Sequence, residues 1–426
     1  MKGHNRNFNN ALKNFGIYLI FLCIILLGVF TSQPYFIYQA KNSIEKNVES
    51  KNIKEEKIKK YALHNSNQNG FVINNERNLK NISNNNEVLY SEQLQNSKDN
   101  MDLNMKIIID EQKTKIMEEM HILNNISKIL NSSQPIRNLI VTTFRSGSTF
   151  TNEIINSHPG TFNYFEPLLK LEYMQASKLI KVTKDLFQCN IPDWYFEHIK
   201  QYKWELSHNY RLNEYCKRNE TLCFNKTFVE AMCRLFPYIS IKVTRLKLHH
   251  FEELLKDPSL NMKLVYLIRD PRGTMTSRHR IYWCMKSPDC GNYSKLCDSL
   301  MSDYLTAKRF KNLYPTNFRI IRYEDLSIDP FHEVSNLFNF LRLQLSASTI
   351  KFLNEHTIVQ EKVQNMYSTY RNSSETPFLW RKETDFKIIN EIQESCHSVL
   401  HHWGYLPAKN KLHQETFNPI MQPFKL

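Results

Sequence analysis

Between Pro135 and Trp403, short runs of aliphatic and β-branched residues alternate with stretches of helical periodicity, and this alternation limits the chain to one class of fold. Arg137-Asn138-Leu139-Ile140-Val141-Thr142-Thr143 reads as a short buried strand. Tyr238–Val243, Lys263–Ile268 and Phe318–Tyr323 read as three more. Helical patterns stand between and after them. Phe150, Ile154 and Ile155 share one face of a helix over Thr149–Asn156, and Val334–Leu341 and Ile388–Trp403 keep the same period. Strands alternating with helices imply a mostly parallel sheet in a single α/β domain of about 290 residues. Ligands in such sheets bind at the carboxyl ends of the strands. The first and third strands both run into basic, turn-forming segments there.

Upstream the chain is of another kind. Phe15 to Ser32 carries no charge, and its 18 residues are close to the shortest stretch that spans a bilayer as a helix. Lys2, Arg6 and Lys13 precede it, and no acidic residue appears before Glu45, so the N-terminus is expected on the cytoplasmic side and the remainder in a lumen. The run exceeds the ~7–15-residue core of a cleaved signal peptide, and Ser32-Gln33-Pro34 is a poor cleavage site. From Gln33 to about Gln134 the composition is Asn, Lys, Glu, Ser and Gln with few aromatics, which predicts a largely disordered stem. Ile109, Ile116, Leu123 and Leu130 recur every seven residues within it, predicting a helix that either lies on the domain or forms a homodimer through the stem. The expected organisation is a tail over 1–14, a signal anchor over 15–32, a stem over 33–134 and a folded luminal domain over 135–426, the arrangement of a single-pass type II membrane protein.

The formal net charge of +14 calls for an anionic partner. Nothing resembles a recognition helix, a zinc finger or a basic-aromatic strand, which argues against nucleic acid. Cys23 lies in the apolar run and leaves eight others, an even number suited to disulfides in an oxidising lumen, though the sequence selects none of their 105 pairings. Asn-x-Ser/Thr sequons begin at Asn81, Asn125, Asn131, Asn219, Asn225, Asn292 and Asn372, all beyond the apolar run. The cysteine spacings do not form a zinc framework, and the pairs His249-His250 and His401-His402 point apart, so no metal is expected.

After the first strand, Thr143-Phe144-Arg145-Ser146-Gly147-Ser148-Thr149 sets a cation, hydroxyls and a glycine before a helix. Backbone N–H groups at a helix start, with the positive end of its dipole, bind anions, and Gly147 lets the backbone approach one closely. The spacing and terminal Lys of an ATP- or GTP-binding P-loop are missing. The third strand runs into Arg269-Asp270-Pro271-Arg272-Gly273-Thr274-Met275-Thr276-Ser277. Arg269 and Ser277 offer a donor fork and a hydroxyl to a phosphate monoester. Asp270 is also a helix cap with Pro271 in the first turn, a reading that leaves Arg272 facing solvent.

Together these two segments resemble the 5′-phosphosulfate and 3′-phosphate motifs of the sulfotransferases. Phe144–Phe150, His158-Pro159 and Phe165-Glu166-Pro167-Leu168 resemble those of the Golgi carbohydrate 6-O-sulfotransferases of galactose, N-acetylgalactosamine and N-acetylglucosamine. Arg322-Tyr323-Glu324-Asp325-Leu326, Trp380-Arg381, Cys396 and Gly404-Tyr405 extend the likeness over about Asn138 to Pro407. The resemblance implies a P-loop-like fold and the donor 3′-phosphoadenosine 5′-phosphosulfate. It implies that Arg145, Ser146, Gly147, Ser148, Thr149, Phe150 and Thr151 cradle the 5′-phosphosulfate. Arg269 and Ser277 would take the 3′-phosphate, with Asp270, Pro271, Arg272, Gly273, Thr274, Met275 and Thr276 against the nucleotide.

The reaction that the resemblance implies is sulfuryl transfer to a sugar hydroxyl, the 6-hydroxyl by family likeness, on a glycan or proteoglycan. Arg145 would neutralise the departing phosphate, and Glu166 resembles the family's candidate base, with a pKa expected to rise beside Phe165 and Pro167. Arg245 follows a strand and faces donor or acceptor, and Arg371–Lys382 reads as a flap anchored by Trp380. Glu324 and Asp325 read as structural. A metal-dependent glycosyltransferase is disfavoured because no Asp-x-Asp occurs. A tyrosylprotein sulfotransferase or an inactive glycan-binding membrane protein would share parts of the pattern.

Overall fold

The computed structural model describes residues 103–120, 135–201, 207–358 and 368–424. The run Phe15–Ser32 and most of the expected stem lie outside the described residues. Among the described residues no helix is long and apolar enough to cross a membrane.

Five strands form one sheet: β1 (Ile136–Thr142), β2 (Thr161–Phe165), β3 (Tyr238–Val243), β4 (Met262–Ile268) and β5 (Phe318–Arg322). Every neighbouring pair is parallel, and the order is β2-β3-β1-β4-β5. Leu139, Ile140 and Val141 are at most 1% exposed, as expected of a central strand covered on both faces. β2 lacks an unbroken aliphatic run, since polar Thr161 and Asn163 alternate with aromatics, and sequence patterning misses it.

Helices cover both faces. Residues 103–120 form α1. Next come α2 (Ser148–Asn156) and α3 (Ala176–Phe187), then α4 (Tyr210–Arg218) and α5 (Lys226–Arg234). After β4 follow α6 (Pro271–His279) and the long α7 (Tyr293–Leu313). Beyond β5 lie α8 (Tyr323–Ile328), α9 (Pro330–Leu341), α10 (Ala347–Thr357), α11 (Trp380–Glu383) and α12 (Phe386–Ser395). The period over Ile388–Trp403 is two helices, because the chain leaves helical geometry at Cys396 before His397–His402.

α1 docks on the domain. Met105, Ile116 and Met120 join the core, the Tyr215 hydroxyl donates to Gln112 Oε1 at 3.0 Å, and Arg211 pairs with Glu119 at 2.9 Å. Over these residues the seven-residue seam is used within the chain rather than offered to a second copy.

All eight cysteines beyond Cys23 pair: Cys189–Cys233, Cys216–Cys223, Cys284–Cys290 and Cys297–Cys396. Asn219, Asn225 and Asn292, which open sequons, each cap a helix by accepting a backbone N–H. That role accounts for Asn at these positions independently of any glycan.

Cys297–Cys396 ties α7 to the end of α12 across 99 residues. A loop of that length restricts the unfolded chain strongly. Replacing both with Ser is expected to cost about 2–5 kcal/mol, read as a lower urea midpoint.

Candidate active site

β1 lies between β3 and β4, so the crevice at its carboxyl end is where the strand order reverses. Thr142 Oγ1 donates to the Leu267 carbonyl at 2.6 Å and ties the ends of β1 and β4 together. The chain then turns through Arg145 (φ 69°) and Gly147 (φ 83°) before α2. Gly147 is required twice over. Its φ is left-handed, and a Cβ there would lie 2.2 Å from the Tyr323 ring. As the cap of α2 it supplies no side-chain acceptor, so the first N–H groups of the helix point into the crevice.

The segment after β4 closes the other side. Asp270 Oδ1 accepts from the Arg272 N–H and caps α6, with Pro271 in its first turn. The expectation that Arg272 faces solvent is wrong. It is 0% exposed, its guanidinium bonded to Asp270, Gln393 and the Leu406 carbonyl and lying 4.3 Å from the centre of the Trp380 ring. It holds the C-terminal segment to α6.

Two bonds join the segments. Arg145 Nε donates to Ser277 Oγ at 2.9 Å, and Arg269 Nη1 donates to the Arg145 carbonyl at 2.9 Å. Arg280 and Arg371 stand nearby. Burial first, then Arg371 and Arg269, lowers the pKa of Arg280. Burial and Arg269 likewise lower that of Arg371, against an opposing Tyr323. Guanidinium groups close enough to disfavour one another's charge are suited to a multiply charged anion.

These elements wall a cavity of about 640 Å³. Of the residues expected at the site, Arg145, Gly147, Ser148, Thr149, Phe150, Glu166, Arg269, Gly273, Thr276 and Ser277 line it. Ser146, Thr151, Asp270, Pro271, Arg272, Thr274 and Met275 do not, and all seven are buried. Helix geometry explains the division: 273, 276, 277 and 280 fall on one face of α6 and its extension, and the positions between turn to the core. The same spacing from Gly273 marks Arg280, which sequence patterning missed. Arg371, Ser373, Thr376, Leu379 and Trp380 close the cavity from the expected flap.

Glu166 lines the opposite wall, where the chain leaves β2 with φ 45°. Lys242, fully buried on β3, places Nζ 3.0 Å from Glu166 Oε1 and 3.4 Å from the centre of the Phe165 ring. The expected rise in the Glu166 pKa is not found. Burial alone would raise it, but the charge and hydrogen bond of Lys242, then Arg245 and His208, hold the carboxyl below its ordinary value. Arg245 pairs with Glu172 at 3.2 Å. Phe144 and Trp283, rings 5.2 Å apart, also line the cavity, with the Arg245 guanidinium 5.3 Å from the centre of the Phe144 ring. Among the described residues no group of three or more His, Cys, Asp or Glu side chains is placed to hold a metal.

A parallel sheet whose central strand runs through a left-handed glycine loop into a helix start, faced by an arginine cluster, places the chain in the α/β class with its cavity at the strand ends. Within that class, the family model described as "Sulfotransferase domain" matches residues 135–404, and the chain belongs to the sulfotransferase family. It is similar to carbohydrate sulfotransferase 1 of Mus musculus, 24% identical over 68% of this chain and 84% of that one. It is similar to carbohydrate sulfotransferase 3 of Homo sapiens, 23% identical over 64% of this chain and 67% of that one. Among solved structures, the sulfotransferase domain of the Synechococcus PCC 7002 olefin synthase is 14% identical, covering 62% of this chain and 96% of that one at a TM-score of 0.35.

Gly147→Ala is expected to cost about 1–3 kcal/mol of stability through its φ and the Tyr323 ring. It should also weaken adenosine 3′,5′-bisphosphate binding at least about tenfold, a loss of roughly 1.4 kcal/mol, measured by calorimetry. A second expectation concerns Glu324, which accepts from the Asp270 N–H and the Tyr405 hydroxyl. Burial, then Asp270, pushes its pKa up to about 7. The folded protein therefore keeps a proton that the unfolded chain releases at lower pH, and stability falls as pH rises from the ordinary carboxylate range through about 7. Glu324→Gln should flatten that fall, read as urea midpoints across the range.

Proposed function

We propose that this chain transfers the sulfuryl group of 3′-phosphoadenosine 5′-phosphosulfate to a sugar hydroxyl, the 6-hydroxyl, of a glycan or proteoglycan. The observation that carries this reading is the pair of bonds that sets the Arg145 loop against Arg269 and Ser277 in one cavity. Two anion sites a fixed distance apart suit a nucleotide charged at both its 5′ and 3′ positions. The N–H groups at the start of α2, with Arg145, take the 5′-phosphosulfate. Arg269 and Ser277, joined by Arg280 and Arg371, take the 3′-phosphate. The sugar of the acceptor is the part taken from the carbohydrate sulfotransferases to which the chain is similar.

Sulfuryl transfer is an in-line displacement whose charge gathers on the leaving oxygen, so positioning and fixed cations supply most of the acceleration. Arg145 stabilises the departing phosphate. Phe144 and Trp283 offer apolar faces to a pyranose ring. Glu166, the carboxylate that the resemblance makes the base, faces the same space. Held ionised by Lys242, it is suited to accept a hydrogen bond from the acceptor hydroxyl and is a weak acceptor of its proton. The uncharged run Phe15–Ser32 supports anchoring as a type II protein with the enzyme domain in the Golgi lumen.

With the full chain, sulfur-labelled donor and separate keratan, chondroitin and N-acetylglucosamine-terminated acceptors, label is expected in at least one glycan. Arg145→Ala is expected to lower kcat by about 10²–10³. Label in none of the acceptors would defeat the reading. Arg269→Ala should weaken adenosine 3′,5′-bisphosphate binding by about 1.5–3 kcal/mol, and an unchanged affinity would remove the 3′-phosphate assignment. Trp283→Ala is expected to raise the acceptor KM with donor affinity unaltered.

A further inference from the structure

We propose that the turn over residues 281–291 is a preorganised acceptor-binding element, in which Arg278, Cys284 and Cys290 are positioning residues that hold Trp283 ready for a sugar ring. The assignment rests on the sulfuryl-transfer reading above. Trp283 lines the cavity but lies on a helix of only five residues, Tyr282–Lys286. It is 47% exposed, so no core fixes its ring. A side chain so placed is either held by its own segment or has to be ordered when the acceptor binds, which opposes binding.

Three ties hold it. Cys284, the next residue, is fully buried and bonded to Cys290. Between the two cysteines the chain folds back on itself. The Ser287 N–H donates to the carbonyls of Trp283 and Cys284, each at 3.1 Å, and Ser287 Oγ accepts from the Cys290 N–H at 3.3 Å. Arg278, itself buried, supplies the second tie. Its Nε donates to the Phe144 carbonyl and its Nη1 to the Cys290 carbonyl, both at 3.1 Å. One planar guanidinium fork thus joins the end of the disulfide turn to the start of the donor loop. The third tie is the contact of the Trp283 and Phe144 rings.

The size of the disulfide loop separates this role from general stability. Cys284 and Cys290 are 6 residues apart, against 99 for Cys297–Cys396 and 44 for Cys189–Cys233. A loop that short removes little entropy from the unfolded chain. What the bond fixes is local: the carbonyl that Arg278 grips and the backbone next to Trp283. Phe144 and Trp283 are then presented together, as apolar faces on which the C–H face of a pyranose can lie. The donor groups have other supports. Arg269 and Ser277 are set by their bonds to the Arg145 loop, and Gly147 by the Tyr323 ring. Acceptor affinity should therefore depend on this disulfide, and donor affinity should not.

The test uses the full chain, labelled donor and the best of the three acceptors. Cys284→Ser and Cys290→Ser in one protein are expected to raise the acceptor KM about tenfold. The same protein should keep kcat within about threefold and its affinity for adenosine 3′,5′-bisphosphate. Trp283→Ala raises the same KM, and adding it to the double serine variant should raise KM less than about twofold further, because the bond acts through that ring. An unchanged acceptor KM in the serine variant overturns the proposal, as do effects of bond and ring that add in full. Loss of nucleotide affinity also overturns it, since the bond would then support the donor loop or the whole fold. Wild-type protein that binds the nucleotide and labels no acceptor would instead overturn the reading on which the assignment rests.

Discussion

The bond from Arg269 to the Arg145 carbonyl, with Arg145 reaching across to Ser277, closes the end of the sheet between β1 and β4. A loop that passes through two left-handed residues has no secondary structure of its own to fix it. Here it is held by the neighbouring strand's continuation. Tyr323, arriving from β5, packs where any Gly147 side chain would stand. Three adjacent strands therefore determine one loop, and the first turn of α2 is aimed as a consequence.

Much of this was legible in the sequence because the periodicities are strong. Four of the five strands read correctly, since each carries a cluster of aliphatic or aromatic residues of high strand propensity. β2 did not, because its polar positions face a buried polar stripe in which Asn163, Ser240 and Asn138 stand in register. The anion loop and α6 were visible as residue types, but which of them line the cavity depends on helix phase, and Arg272 turns inward on that account. His208 carries no local signal, reaching the cavity from a distant segment by tertiary packing, whereas Arg371 opens the segment read as a flap.

The buried cations show a common use. Arg272 with Asp270, Lys242 with Glu166 and Arg322 with Asp325 each place a cation that is 0% exposed against a carboxylate at the end of a strand or in the turn beyond it. Taking such charges from water costs several kcal/mol, so these pairs are poor sources of net stability. They do impose a single arrangement, because any alternative strands a charge in the core. Arg322 also donates to the Gly404 and Met421 carbonyls, and Arg272 to that of Leu406, so both secure the C-terminal segment against the sheet.

The distribution of charge gives the cavity a direction. On the side of β2 and β3, Lys242 and Arg245 are matched by Glu166 and Glu172, and the wall there includes aromatic faces and an imidazole. On the side of α6, Arg269, Arg280 and Arg371 stand together with Glu383 as the carboxylate paired to Arg280. An anionic nucleotide gains most by lying along the second wall, where it offsets the burial and the weaker mutual repulsion that lower the arginine pKa values. A neutral hydroxyl gains nothing from that wall and finds hydrogen-bond acceptors on the other. The Arg145 loop contributes to the same cavity, so charge alone distinguishes a side suited to an anion from a side suited to a neutral, hydrogen-bonding group.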